Sequence, residues 1–133
     1  MSEHVSIFAY GTLQVPSVMQ AVTGGHYDFA PAILSGYQRF KIRNQSFPGI
    51  IRQADASVDG VIYRHIDQQA LHLLDQFEDV CYQREWVDVD VQGNIEQAFV
   101  YVVTDDYRKY LTDQAWSLEE FKRKYLKGYL SRI

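Results

Sequence analysis

A succession of strand-like segments with few helices between them constrains the fold of this chain more than any other feature. Residues 87–91 alternate valine with aspartate, which is typical of a half-exposed strand, and residues 98–103 are apolar on both faces, as in a covered strand. The strand-like segments are residues 5–10, 27–43 (one bent strand or two joined), 47–51, 58–66, 87–91 and 98–103. Because no regular helical crossovers separate them, the order favours an α+β fold with six or seven strands.

Two or three helices are predicted from local signals. Pro16 opens a short segment that ends before Gly24-Gly25, a favourable order for a helix. Asp67 is placed to cap a helix over residues 68–78, and Ser117 begins a capping box for a single final helix. Glycines further predict a bulge at Gly60 and a turn at Gly93-Asn94.

Composition narrows the class of protein. A chain of 133 residues with 47% hydrophobic content predicts one domain, residues 1–133. A net charge of −4 argues against nucleic-acid and membrane partners. Residues 1–4 lead directly into a strand without the pattern of a signal peptide, and Cys81 is the single cysteine, so a cytoplasmic location is expected.

The first strand ends abruptly at Tyr10-Gly11-Thr12-Leu13. A glycine turn at the rim of a sheet can present backbone N–H groups to an anion or a carbonyl. The alternative is an ordinary turn after the first strand, and the local pattern alone does not separate the two.

Glu78 is the strongest candidate for acid–base chemistry. It follows Leu71 and Leu74 at helical spacing, so it falls at the margin of the buried stripe of the helix predicted over residues 68–78. Partial burial and the negative end of the helix dipole would both raise its pKa and favour a base near neutral pH. The alternative is a structural ion pair with Arg84.

Other candidate sites are weaker. The four histidines have no metal-ligand spacing and only one cysteine is present, so no metal site is predicted. Cys81 has no indicated histidine partner for nucleophilic catalysis. Gly24-Gly25 lacks the further residues of a phosphate-binding motif.

Four motifs taken together resemble the γ-glutamylcyclotransferase-like family, especially its avirulence-induced plant proteins and their bacterial relatives. In chain order they are Phe8-Ala9-Tyr10-Gly11-Thr12-Leu13, Phe47-Pro48-Gly49-Ile50-Ile51, Val58-Asp59-Gly60 and the segment from Leu74 to Glu85, which contains Leu-Asp-x-Phe-Glu and Tyr-x-Arg. Residues 116–130 also look like the terminal helix of that branch, so the resemblance covers nearly the whole chain.

The resemblance implies a small mixed β-barrel with helices packed outside and a cavity at its end. It assigns binding of a substrate α-carboxylate to backbone N–H groups of Tyr10, Gly11, Thr12 and Leu13, and the role of general base to Glu78. Tyr82 and Arg84 would support the pocket. The implied activity is that of an acyltransferase needing no cofactor, which cyclises a γ-glutamyl amine or amide to 5-oxoproline.

Two departures leave the leaving amine open. Asp79 follows Glu78 where the branch acting on γ-glutamylamines more often has glycine, and residues 14–17 lack the Arg-Gly-x-x-Asn that often follows the first motif there. The alternatives are a small-molecule-binding module that keeps the pocket without turnover and, more remotely, a hydrolase dependent on Cys81. The sequence does not predict the oligomeric state.

Overall fold

A computed structural model describes residues 4–133; the first three residues, where no signal peptide is predicted, lie outside the described part. Residues 4–133 form an α+β fold of five strands and four α-helices. The strands are β1 (Val5–Ala9), β2 (Phe29–Lys41), β3 (Pro48–Ile66), β4 (Tyr82–Val91) and β5 (Asn94–Val103). The helices are α1 (Pro16–Thr23), α2 (Gln68–Glu78), α3 (Leu118–Lys124) and α4 (Leu126–Leu130). Short 3₁₀ turns cover Thr12–Gln14, Asp79–Cys81 and Asp105–Tyr110.

The strands form one sheet in the order β1-β3-β2-β4-β5, which closes into a barrel. Closure comes from a parallel contact of β1 with β5, where Ile7 pairs with Phe99. The other neighbours pair antiparallel, so the sheet is mixed. This closure places β1 between β3 and β5.

The prediction of six or seven strands is wrong, because β3 is continuous over Pro48–Ile66. The polar stretch before Val58 was expected to separate two strands. Instead it forms an irregularity within one strand: Ser35 pairs with Ser57, whereas Tyr37 pairs with Arg52. The predicted bulge therefore lies here and not at Gly60, which pairs in regular register with Ala32. The polar residues before Val58 are exposed positions within a continuous strand, and they do not mark the end of a strand.

Gly60 is required by close backbone contact rather than by a bulge. A Cβ added there would overlap the carbonyl oxygen of Ala9 and lie 2.9 Å from Cζ of Phe8. We expect Gly60→Ala to lower the free energy of unfolding by about 1–3 kcal/mol, the usual cost of overpacking. Urea unfolding measures this, with Gly128→Ala as the control, because a Cβ at Gly128 meets nothing within 4 Å. Equal stabilities of the two variants would contradict the expectation.

Two hydrophobic clusters share the strands between them. One contains strand residues from the barrel interior, including Phe8, Leu34, Ile50, Ile62 and Val100. The other joins the outer face of β1 to the helices through Ile7, Met19, Leu74 and Phe121. Because successive side chains of a strand point to opposite faces, β1 contributes to both clusters immediately before the Tyr10–Leu13 loop.

The predicted helix starts are confirmed. Pro16 is at the first position of α1, and Gly24 ends it in the left-handed conformation with φ 79°. The Asp67 side chain accepts a hydrogen bond from the Ala70 N–H at 2.8 Å, and Ser117 accepts one from Glu120 N–H at 3.2 Å.

Two details of the predicted elements differ. The final helix is divided into α3 and α4 at Tyr125, where φ is −124°. The β4–β5 turn uses Gln92 and Gly93, with φ of 55° and 92°, and Asn94 already belongs to β5. Positive φ at both central residues is what a tight hairpin of this twist requires. Among the helices within residues 4–133, none is long and apolar enough to cross a membrane.

Candidate active site

A cavity of about 330 Å³ lies beside the carboxyl end of β1. Its walls come from β1 and the loop that follows it, the start of β3, the end of α2 with the turn that follows, the start of β4, β5 and α4. The residues that matter below are Tyr10, Gly11, Thr12, Leu13, Phe47, Pro48, Glu78, Asp79, Cys81, Tyr82, Tyr101 and Tyr129. Two segments far apart in the chain, the Tyr10–Leu13 loop and Glu78, thus face one space.

The Tyr10–Leu13 loop forms one wall of this cavity. A 3₁₀ turn begins at Thr12, with Gln14 N–H donating to Gly11 O at 3.0 Å. The first N–H groups of such a turn have no acceptor within it. Gly11 packs against the Pro48 ring, and a Cβ there would lie 2.9 Å from Pro48 Cδ. Glycine therefore allows the close approach that shapes this wall.

The Tyr10 side chain is engaged in a contact within the protein core. It is buried, and its hydroxyl donates to the backbone oxygen of Tyr101 at 2.6 Å. Tyr63 similarly donates to the Leu13 oxygen at 2.7 Å. The hydroxyls of Tyr10 and Tyr63 therefore tie the loop to the core.

Glu78 is half-buried at the last position of α2 and faces the cavity. Burial, with a further contribution from the negative charge of Asp75, raises its pKa to about 8. The direction follows from physics, since a low-dielectric environment and a nearby like charge both disfavour the ionised carboxyl group. Glu78 is thus poised to exchange a proton near neutral pH.

Arg84 does not form the ion pair with Glu78 that the sequence left as an alternative. Its Nε lies 2.7 Å from Oδ1 of Asp75, which also accepts a hydrogen bond from the Tyr101 hydroxyl at 2.7 Å. The guanidinium stacks on Phe99, 4.5 Å from the ring centre. Within residues 4–133, Glu78 forms no ion pair. Arg84 lies in a neighbouring groove, not in the cavity wall.

Tyr82 ties two walls of the cavity together. Its hydroxyl donates to the backbone oxygen of Pro48 at 2.7 Å, and burial raises its pKa well above the usual value. The bond links the turn after Glu78 to the segment that packs on Gly11. Tyr82 is therefore placed to fix the separation between the loop and Glu78.

The sequence did not single out Tyr129 as a site residue. Its ring packs against Phe77 and Phe121, with centroids 6.3 and 5.3 Å away, and its hydroxyl lies 3.4 Å from Thr12 Oγ1. In the sequence, Tyr129 follows Phe121 and Tyr125 at helical spacing, a pattern typical of a packed helix face. The ring contacts agree with that pattern, which does not indicate a position at a cavity. Only the docking of α4 against the loop brings Tyr129 to the cavity.

The charged residues that line the cavity are all acidic. Glu78 and Asp79 are the charged residues of its wall, and neither lysine nor arginine is among the described lining residues. Burial raises the pKa of the Cys81 thiol, which disfavours a reactive thiolate. Across residues 4–133, no three His, Cys, Asp or Glu side chains converge on a position that could hold a metal ion. The described wall therefore carries no lysine or arginine charge.

A closed mixed sheet with outer helices, and a cavity between a strand-end glycine loop and a half-buried glutamate, defines the class of cyclotransferase-like proteins. The family described as "Gamma-glutamyl cyclotransferase, AIG2-like" matches residues 7–118. The chain belongs to this family.

Individual relatives agree with this assignment. AIG2-like protein D of Arabidopsis thaliana is 32% identical over 130 residues, covering 94% of this chain and 84% of the relative. A solution structure from Arabidopsis thaliana has a TM-score of 0.74 at 25% identity, covering 98% of this chain and 79% of that one. A structure described as a gamma-glutamyl cyclotransferase has a TM-score of 0.69 at 18% identity, covering 98% and 86%, and shows a shared fold.

Proposed function

We propose that this protein is a cytoplasmic γ-glutamyl cyclotransferase, which converts a γ-glutamyl amine or amide into 5-oxoproline and a free amine. The observation that carries the proposal is an unpaired Glu78, with a pKa of about 8, facing the Tyr10–Leu13 loop across a cavity of about 330 Å³. Membership of the family supports the reaction class.

Two contacts place the substrate in this proposal. Its α-carboxylate binds the backbone N–H groups of the loop that contains Gly11, Thr12 and Leu13. Its α-ammonium lies towards the Glu78 carboxylate. Holding both ends of a small substrate brings its α-nitrogen near its own γ-carbonyl, so the intramolecular attack needs positioning more than activation of a second reactant.

Glu78 moves the protons. Its carboxylate takes one proton from the α-ammonium, and the neutral amine then attacks the γ-carbonyl carbon, whose π electrons move to oxygen. When the carbonyl re-forms, the bond to the leaving nitrogen breaks. That nitrogen receives the proton held by Glu78 and a second one from the ring nitrogen, so it departs as an ammonium and Glu78 returns to its starting state. Neither a metal nor an organic cofactor takes part in these steps.

Tyr82 and Arg84 act as supports in this scheme. Tyr82 holds the wall between Glu78 and Pro48 through its 2.7 Å hydrogen bond. Arg84 partly neutralises Asp75, the second source of the raised Glu78 pKa, through a 2.7 Å contact. Neither side chain is assigned a proton-transfer step.

The proposal is tested by incubating the protein with a panel of γ-glutamyl dipeptides and γ-glutamyl amines and measuring 5-oxoproline by mass spectrometry. We expect at least one member to release 5-oxoproline and its amine in equal amounts. The same panel identifies the leaving amine. The Cys81→Ala variant should retain activity; its complete loss would favour a reaction through the thiol.

The competing function is a small-molecule-binding module with the same pocket. It predicts thermal stabilisation by glutamate-like ligands with no 5-oxoproline from any panel member. That outcome would overturn the cyclotransferase proposal while leaving the binding site intact.

A further inference from the structure

Arg39 is an arginine beside the cavity that the mechanism above does not use. It lies on β2, and its side chain is 19% exposed. Its Nη1 donates to the backbone oxygen of Tyr10 at 2.7 Å and to that of Asp59 at 3.0 Å, while Nη2 contacts Asp59 Oδ1 at 2.8 Å. The guanidinium thus binds the carbonyl of the Tyr10–Gly11 peptide, and Arg39 itself is not among the residues that line the cavity.

The contact with Tyr10 has a consequence for the neighbouring N–H group. The Tyr10 carbonyl and the Gly11 N–H belong to one peptide unit, and the described peptides are all trans. In a trans peptide these two groups point in opposite directions. Arg39 holds the carbonyl from outside the cavity wall, so the Gly11 N–H points away from Arg39. Gly11 itself lines the cavity.

We propose that Arg39 is a positioning residue for the substrate α-carboxylate, acting through the Tyr10–Gly11 peptide. The inference rests on the proposed function of the loop. A carboxylate in a cavity whose described wall has no lysine or arginine depends on correctly oriented N–H dipoles. A charged donor on the carbonyl both fixes the peptide plane and polarises the N–H at its other end.

Neighbouring contacts hold the guanidinium in place. It lies over the Trp116 ring, 5.6 Å from its centre, and Trp116 Nε1 donates to the backbone oxygen of Ser46 at 2.7 Å. Ser46 directly precedes Phe47 and Pro48, which form the wall packed on Gly11. Arginine suits this position because its planar fork serves several acceptors and stacks on an aromatic ring, whereas lysine offers a single ammonium.

The test compares two ligands that differ by the α-carboxylate alone: L-glutamine and 4-aminobutanamide. Dissociation constants are measured by calorimetry or NMR titration for the wild type, Arg39→Gln, Arg39→Lys and Asp59→Asn. We expect Arg39→Gln to weaken glutamine binding by about tenfold or more, the usual effect of losing a charged hydrogen bond. Binding of 4-aminobutanamide should change by less than about twofold, because it has no carboxylate to place.

The variants separate positioning from a general structural role. Arg39→Lys should resemble Arg39→Gln more than the wild type. Asp59→Asn removes the ion pair and leaves the Tyr10 contact, so both ligands should bind nearly as in the wild type. With a substrate from the panel, Arg39→Gln should raise KM and leave kcat largely unchanged, since the carboxylate is held in both the ground and transition states.

The inference is wrong if Arg39→Gln affects both ligands equally or neither, or if Asp59→Asn has the same effect as Arg39→Gln. Wild-type protein that binds glutamine but yields no 5-oxoproline from any panel member would refute the cyclotransferase proposal, while the binding comparison still decides the role of Arg39. Wild-type protein that binds neither ligand and converts no panel member would overturn both.

Discussion

Replacing Glu78 with glutamine is expected to lower kcat/KM for cyclisation by a factor of about a hundred to ten thousand, the typical contribution of a general base. Glutamine has nearly the same shape as glutamate but cannot accept the ammonium proton. The Glu78 carboxylate forms no ion pair among the described residues, so its replacement leaves no partner uncompensated. Initial rates of 5-oxoproline release, measured at several substrate concentrations, give the ratio.

A matched variant shows whether charge alone explains the loss. Glu119→Gln removes one negative charge from the exposed first turn of α3, outside the cavity wall, and should retain wild-type activity. Near-ultraviolet circular dichroism checks that both variants keep their tertiary packing. Retention of full activity by Glu78→Gln would remove Glu78 from the proposed mechanism.

The second large effect is a loss of activity in acid. A base must be ionised to act, and burial raises the pKa of Glu78 to about 8, so kcat/KM should increase with pH up to about that value. At a pH of about 6, roughly one molecule in a hundred has ionised Glu78, so the rate should be about a hundredfold below its plateau. Values of kcat/KM measured from a pH of about 5 to about 9.5 define this acidic limb, the part of the pH–rate profile in which activity rises with pH.

The Asp75→Asn variant tests whether the pKa of Glu78 sets the position of this acidic limb. Removing the Asp75 charge takes away one cause of the raised pKa and leaves Arg84 without its partner, so the limb should move to lower pH. An unchanged limb in this variant, or a wild-type limb near the ordinary glutamate value, would contradict the electrostatic account.

The same pKa has a consequence for stability. Because the folded-state pKa is raised, the folded protein binds the Glu78 proton more tightly than the unfolded chain does. The resulting stabilisation is fully present below the unfolded pKa of about 4.3 and is lost as pH rises through about 8. Glu78→Gln lacks this dependence, so its stability relative to the wild type should increase over that interval, by a few kcal/mol at most. Urea unfolding at several pH values measures the difference.

Much of the fold could be predicted from local patterns. The alternation in residues 87–91, the capping positions Asp67 and Ser117, and Pro16 at the start of α1 all depend on neighbours within a few residues. The strand count could not be predicted in this way. The polar middle of β3 stays extended because it pairs with β2 across an irregular register, and pairing partners lie outside any local window.

The candidate site divides in the same manner. By itself the sequence determined the glycine turn after β1 and the position of Glu78 at the margin of a helix, since both follow from residue type and helical spacing. The family resemblance implied a pocket shared by these two segments, and the tertiary structure shows the cavity that both of them line. Only the tertiary structure decided that Arg84 pairs with Asp75 and leaves Glu78 unpaired, and that Arg39 and Tyr129 contact the loop. These contacts join residues many positions apart, and they exist because barrel closure and helix docking bring the ends of separate elements together.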